Sequence, residues 1–475
     1  MFFGRKDELS RLEALLDKNT ASLVAVKGRR RIGKSALIQE FASRFETFCQ
    51  VQGIAPRESI SDLDQRKNFS EQLKVAFGAP AVELENWHDA FAQLAALTRS
   101  GRVLILLDEI SWMASRDPDF AGKLKIAWDT LFKKNDELVL VLCGSVSSWI
   151  DKNILRDADF VGRISLEIDL QELPLHHCNE FWRSKKDRIA SMEKLRLLSV
   201  TGGVPGYLEE ANISKSAEDN IHRLCFDPGA LLVEEFDKIF NSIFARRAES
   251  YHRIVRALAD GRRSASDLAS TLGRHLNSDL SEHLLDLRHS GFVARDYTWN
   301  FGGKKTRISQ YRLKDNYLRF YLKYIEPIRD KIEAGLFRFG GLDSLGNFAG
   351  VVGLQFENLV LNNLPSVLDR LGIDLSAIVS ASPYIQNATR RNKGGCQIDL
   401  LIHARFDTLY VCELKFRRHI DAGVIDEVRQ KIERLKRPRN FSVRPILIYE
   451  GQIADSLRSS MFFDKLLPFG ELLDE

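Results

Sequence analysis

Cysteine is scarce in this 475-residue chain: six residues (Cys49, Cys143, Cys178, Cys225, Cys396, Cys412), no two of them at a metal-ligand spacing. That scarcity excludes a cysteine-based zinc site and a disulfide framework, and it suits reduced thiols in a cytoplasmic protein. Cys143 and Cys412 lie inside apolar runs, where cysteine acts as a small hydrophobe. Long apolar stretches are missing too: nowhere do about eighteen such residues run together, so no membrane partner is expected. The opening MFFGRKDEL lacks the basic-then-apolar pattern of an export signal, so export is not expected either. Charge of one sign is in short supply, with 69 Lys and Arg against 65 Asp and Glu, a net of +4. Bulk charge therefore does not announce a nucleic-acid binder. No internal repeat or low-complexity tract occurs. The remainder, 44% hydrophobic and 28% charged, is ordinary for a globular protein, and the length suggests three or four domains.

Against this plain background, residues 28–35 read GRRRIGKS, a complete phosphate-binding loop of the form G-x-x-x-x-G-K-[ST]. The β-branched run Leu23, Val24, Ala25, Val26 precedes it, and helical spacing follows from Ala36 to Phe41. That strand–loop–helix context gives the pattern its mechanism. Gly28 and Gly33 let the backbone of Arg29, Arg30, Arg31 and Ile32 curl so that N–H groups face phosphate oxygens of ATP. The helix adds the positive end of its dipole. Lys34 is expected to reach the β- and γ-phosphates, and the Ser35 hydroxyl to ligate Mg²⁺. A second apolar run, Val103 to Leu107, ends in Asp108 and Glu109, the first placed to hold Mg²⁺ through water and the second to activate the attacking water as general base. A third run, Leu138 to Leu142, leads to Ser145, placed either as a polar sensor of the γ-phosphate or as a turn serine. Arg163, after the third run, is either a γ-phosphate-sensing or finger arginine, in cis or in trans, or a surface arginine. The expected activity is ATP hydrolysis.

The expected fold is α/β with five segments: a P-loop ATPase core (1–165) on a parallel sheet, a helical lid (166–245), a winged helix (246–325), a linker (326–345), and a mixed α/β nuclease-like domain (346–475). In residues 251–325 three helical patterns are followed by two strand-like runs around Gly302, Gly303, Lys304 and Lys305. This stretch holds fourteen Lys and Arg against seven Asp and Glu, which suits phosphate-backbone contact with DNA. Packing within the ATPase is the alternative use of such a module. The helix from Ser278 to His289 carries few basic residues, which argues against sequence-specific base readout.

Near the other end, residues 397–402 (QIDLLI) and 409–415 (LYVCELK) read as two strands of a hairpin. Side chains two apart share a face, so Asp399, Glu413 and Lys415 are expected to converge. Two carboxylates and an ammonium so arranged suit metal-assisted attack on a phosphodiester, with Asp399 and Glu413 holding Mg²⁺ or Mn²⁺ and Lys415 orienting water. Glu357, on a preceding helix, is a further ligand or base, and Gln430 and Lys431 are polar helpers or an exposed helix face. This D…E-x-K pattern resembles the PD-(D/E)xK nucleases, although Gln397 and Ile398, not proline, precede Asp399.

Taken with Phe3-Gly4-Arg5, residues 106–113 (LLDEISWM), the turn at 201–207 and the segment 311–321 (YRLKDNYLRFY), the whole chain resembles archaeal and bacterial AAA-type, STAND-like ATPases carrying a winged helix and a nuclease-like domain. The resemblance implies an ATP- and Mg²⁺-dependent, DNA-associated enzyme with a metal-dependent deoxyribonuclease output, and an ability to self-assemble. A regulatory ATPase switch with a silent nuclease fold is the other reading.

Overall fold

The computed structural model describes residues 2–474 apart from 58, 146, 245, 246 and 389–393, so the expected boundary between 245 and 246 lies outside the described residues. The chain is of the α/β class and divides into two compact units: Met1–Gln171 with Ile239–Ala248 and His289–Gly291, and Glu172–Lys238 with Glu249–Arg288 and Phe292–Glu475.

The first unit is built on five parallel strands, β1 (Ser22–Lys27), β2 (Thr47–Gln52), β3 (Val103–Asp108), β4 (Leu138–Gly144) and β5 (Ile164–Asp169), in the order β2-β3-β4-β1-β5. Every residue of β3 and β4 is buried. Covering on both faces is why these strands read as unbroken apolar runs rather than alternating ones. Beneath one face Phe69, Trp87, Phe91 and Phe120 pack edge to face, with Trp87 and Phe120 ring centroids 4.8 Å apart. The indole N–H of Trp87 donates to Asp62, which satisfies that ring's one donor.

The second unit holds a two-stranded hairpin and a mixed sheet. Helices Ala248–Leu258, Ala265–Thr271 and Ser278–His289 precede the antiparallel hairpin of β6 (Val293–Trp299) and β7 (Lys305–Leu313). The mixed sheet runs β12-β11-β10-β9-β8, from β8 (Ile378–Gln386), β9 (Cys396–Ala404), β10 (Thr408–Ile420), β11 (Ser442–Ile453) and β12 (Lys465–Pro468). β8, β9 and β10 pair antiparallel, whereas β10, β11 and β12 pair parallel. Helix Gly423–Arg434 links β10 to β11 and buries Val424, Ile425 and Val428 in the sheet's core.

The hairpin tip is not free. Gly303 is seated so closely on β8 that an added Cβ would lie 2.8 Å from Val379, and Trp299 donates its indole N–H to Ser382. The segment 311–321 is also internal: Tyr317, Leu318, Arg319, Phe320 and Tyr321 are all buried. Arg319 gives its donors to the carbonyls of Ala259 and Leu313 and to Gln355, neutral acceptors only, and burial pulls its guanidinium down to about 9. Residues 326–333, expected as linker, are helical.

Candidate functional site

Strand β1 delivers the chain to the phosphate loop, and the loop's shape depends on its two glycines. Gly33 has φ 93° and caps the helix Lys34–Ala42. Gly28 has φ 149°, and a Cβ there would meet the Leu170 carbonyl oxygen at 2.7 Å. Arg31, between them, is also left-handed at φ 62°. Arg5 braces the loop, donating to the carbonyls of Ile32 (3.1 Å) and Gln171 (2.6 Å). The Phe3-Gly4-Arg5 element therefore meets the phosphate loop.

The ends of β3 and β4 bring the other expected residues to the loop. Ser35 Oγ donates to Asp108 Oδ2 at 2.8 Å, uniting the two groups expected at Mg²⁺. Lys34 is buried, and its ammonium donates to the carbonyls of Gly28 (3.0 Å) and Arg29 (3.1 Å) and to Ser145 Oγ (2.9 Å). Ser145 in turn grips Glu109 twice, through Oγ (2.6 Å) and its backbone N–H (3.0 Å). Glu109 sits in the left-handed region at φ 51°, which turns its side chain back over the strand end. The run from ammonium to hydroxyl to carboxylate links the phosphate-binding lysine to the expected base. Gln50, on β2, also reaches Asp108 at 3.4 Å, and nothing in the sequence marked it.

Arg163 does not join this cluster. Its guanidinium is held by Asp129 through three hydrogen bonds of 2.8–3.0 Å, which corrects the expectation of a residue directed at the γ-phosphate within its own subunit.

This donor set fits a magnesium nucleotide: inward-turned loop, ammonium, hydroxyl and acidic strand end stand together. Bound Mg²⁺ would neutralise phosphate charge and act as a Lewis acid. Lys34 would then exchange carbonyl oxygens for phosphate oxygens, and Glu109 would take the proton from water.

In the second unit, β9 and β10 pair in register up to Leu400 with Cys412, and the next step sets Asp399 against Glu413. There the ladder gives way to a side chain: Asp399 Oδ2 accepts the Leu414 N–H at 3.0 Å. Lys415, two residues on, reaches Glu413 Oε1 (3.0 Å) and Glu427 (2.5 Å). From helix Gly423–Arg434, Lys431 reaches Glu413 Oε2 (2.5 Å) and comes within 3.9 Å of Asp399. Burial, with the neighbouring carboxylate charge, pushes Asp399 and Glu413 above the usual carboxylate range despite these ammoniums. Burial pulls Lys415 down, but Glu413 and Glu427 outweigh it and leave it above the ordinary lysine value.

The structure thus brings Asp399, Glu413 and Lys415 together. Glu357 belongs to their surroundings but is turned to Arg262, which donates to it at 2.8 Å. Glu357, expected as a further ligand or base, thus already has a cationic partner, and its charge also acts on Asp399. Among the described residues no three His, Cys, Asp or Glu side chains stand together to hold a metal. Two carboxylates and a lysine suit one divalent ion. Sequence reasoning had no signal for Arg262, which lies 137 positions from Asp399.

Residues 2–211 match the model of a family described as an ATPase domain predominantly from Archaea. An uncharacterized protein of Methanocaldococcus jannaschii is 25% identical over 387 residues, 78% of this chain and 81% of that one. Among solved structures the chain is similar to a Walker-type ATPase of Pyrococcus abyssi, at 18% identity and TM-score 0.48, over 68% of this chain and 96% of that one. It is also similar to the ORC2 protein of Aeropyrum pernix, at 15% identity and TM-score 0.41, over 70% and 94% respectively. The matched N-terminal segment is an ATP-binding P-loop ATPase domain. No helix among the described residues is long and apolar enough to cross a membrane.

Proposed function

We propose that this ATPase acts on DNA through its second unit, where Asp399, Glu413 and Lys415 form a metal-dependent deoxyribonuclease site governed by the nucleotide state of the first. The observation that carries the reading is the exchange of a backbone pairing for a carboxylate at Asp399, directly across from Glu413 and Lys415. Burying two like charges beside one another is costly without a cationic ligand or a chemical purpose. At such a site Asp399 and Glu413 would hold Mg²⁺ or Mn²⁺, and the ion would supply charge neutralisation and an activated water. Lys415 would orient that water and stabilise charge on the phosphorus oxygens.

DNA contact is assigned to the C-terminal sheet and not to the hairpin tip, because Gly303 is already seated on β8. The three helices and the hairpin then serve as the mount of the nuclease-like sheet. Purified full-length protein with Mg²⁺ or Mn²⁺ should cut at least one of single-stranded, duplex or branched DNA. Lys415→Ala should abolish cutting and leave ATP turnover intact; no cleavage of any of the three by the unaltered chain refutes the reading.

One observation favours a second reading, a regulatory switch whose nuclease fold only binds: the Lys431 ammonium sits between Glu413 and Asp399, where a cation would sit. That reading expects slow, nucleotide-dependent assembly and indifference to Asp399→Asn.

A further inference from the structure

Arg262 comes from outside the C-terminal sheet, on the loop between helices Ala248–Leu258 and Ala265–Thr271. The loop is firmly placed: its neighbour Arg263 exchanges both backbone hydrogen bonds with Tyr311 of β7, at 3.0 and 2.7 Å. Arg312, next along β7, donates to Asn358 at 2.6 Å, and Asn358 directly follows Glu357 on helix Phe348–Asn362. Arg262 and Arg312 therefore both grip that helix from the three-helix module. The Arg262 side chain is only 7% exposed. One nitrogen holds Glu357 at 2.8 Å, whereas Nη1 is buried with no acceptor. A buried guanidinium that leaves donors unused is expensive to keep for stability alone. Its charge acts on Asp399, opposing that of Glu357.

We propose that Arg262 is a positioning residue that takes Glu357 out of the ligand set and so limits the Asp399–Glu413 site to a single divalent ion. The inference rests on the nuclease reading. Without Arg262, three carboxylates would face one another, the donor set that admits a second ion. With it, Glu357 is paired and its charge offset, which withholds it as a third ligand. The loop that carries Arg262 thereby sets the metal content of a site in another part of the unit.

The test is Mn²⁺ titration of the full chain without nucleotide, followed by the electron paramagnetic resonance of free Mn²⁺. Only ions lost in the D399N/E413Q variant are counted. The unaltered chain should bind one. Arg262→Ala should bind two, the first about tenfold more tightly, because the positive charge that acts on Asp399 is gone. Adding Glu357→Gln to Arg262→Ala should return the count to one, which mere removal of a positive charge would not do. Arg262→Lys should keep one ion, and Glu357→Gln alone should also keep one, more weakly bound, since it leaves the Arg262 charge unopposed. Arg262→Gln replaces Arg262→Ala if the alanine variant does not fold. One ion in every variant overturns the inference, as does a second ion that persists when Glu357→Gln is added to Arg262→Ala. No ion in any variant refutes the nuclease reading itself.

Discussion

Both candidate sites place lysines beside two acidic residues, yet the lysines have different company. Lys34 gives its hydrogens to two backbone carbonyls and a serine, all neutral. Lys415 and Lys431 give theirs to carboxylates. An anionic ligand entering the first site exchanges neutral acceptors for charged ones, so the exchange is favourable and the ligand is a polyphosphate. A cation entering the second must displace an ammonium from Glu413 and Asp399, so binding there is opposed by an ion pair already in place. The first site is therefore expected to load readily, and the second to load only against resistance. That asymmetry is what the proposed control of the second site by the first would draw on.

The comparison breaks most clearly if either lysine proves dispensable. Lys34→Ala should lower ATP turnover by about a thousandfold, the upper range for removing one donor from a developing anion, measured as phosphate release. DNA cleavage assayed without nucleotide should survive that change. Lys415→Ala should do the converse, lowering cleavage about a hundredfold while phosphate release stays the same. If Lys34→Ala also abolishes nucleotide-free cleavage, the sites are not separable and the contrast fails.

How much of this was legible in the sequence follows from how each site is strung along the chain. The phosphate loop is one contiguous stretch between a strand and a helix, so residues 28–35, Asp108 and Glu109 were readable from apolar runs and the punctuation at their ends. Asp399, Glu413 and Lys415 were readable because strands alternate and the hairpin connection is short. What failed were partners supplied from a distance. Arg163 reads like a sensor until Asp129, on a helix 34 positions earlier, is seen to hold it. Glu357 reads like a ligand until Arg262 arrives from 95 positions away. The surplus of basic residues in 251–325 reads like a DNA-facing surface. Three of these residues, Arg262, Arg312 and Arg319, are instead turned inward and bonded to carboxylates, amides and carbonyls. Composition counts charges but does not say which way they point.

A smaller effect sharpens the account of the first site. Ser145→Ala removes the hydroxyl between Lys34 and Glu109 and leaves only the backbone N–H to orient the base. Turnover should fall about tenfold with KM for ATP little changed, because positioning of a general base acts on kcat. A drop in KM alone would instead make Ser145 a ground-state brake. At the second site the corresponding lever is pH. Asp399 and Glu413 hold protons in the folded chain that the unfolded chain releases at ordinary carboxylate values. The unfolded state thus binds fewer protons between the unfolded values and the raised folded ones, so stability falls as pH rises through that window. Thermal melts of metal-free protein should show this slope, and both Mg²⁺ and Asp399→Asn should reduce it. A melt that is flat across this range would remove the electrostatic argument for a cation at Glu413.

The smallest expected effect tests the boundary of the first site. Arg163 is committed to Asp129 by a bidentate pair, and that pair holds Asp129 below the usual carboxylate range through the guanidinium's hydrogen bonds. Its Nε and Nη2 are spent on Asp129, so only Nη1 is left to offer a phosphate, short of the fork of donors a guanidinium ordinarily presents. Arg163→Ala should therefore change ATP turnover by less than about twofold, far short of the thousandfold or more that an arginine finger supplies. Asp129→Asn gives the sharper reading, because it keeps the shape of the partner while releasing the arginine. If Asp129→Asn raises turnover and Arg163→Ala cancels the gain, Arg163 is a latent finger restrained by Asp129, and the catalytic set extends beyond the strand ends. If neither substitution moves turnover, the chemistry is confined to Lys34, Ser35, Asp108, Glu109 and Ser145, and the Arg163–Asp129 pair is an ordinary tie between the residue that leads into β5 and the helix Phe120–Thr130.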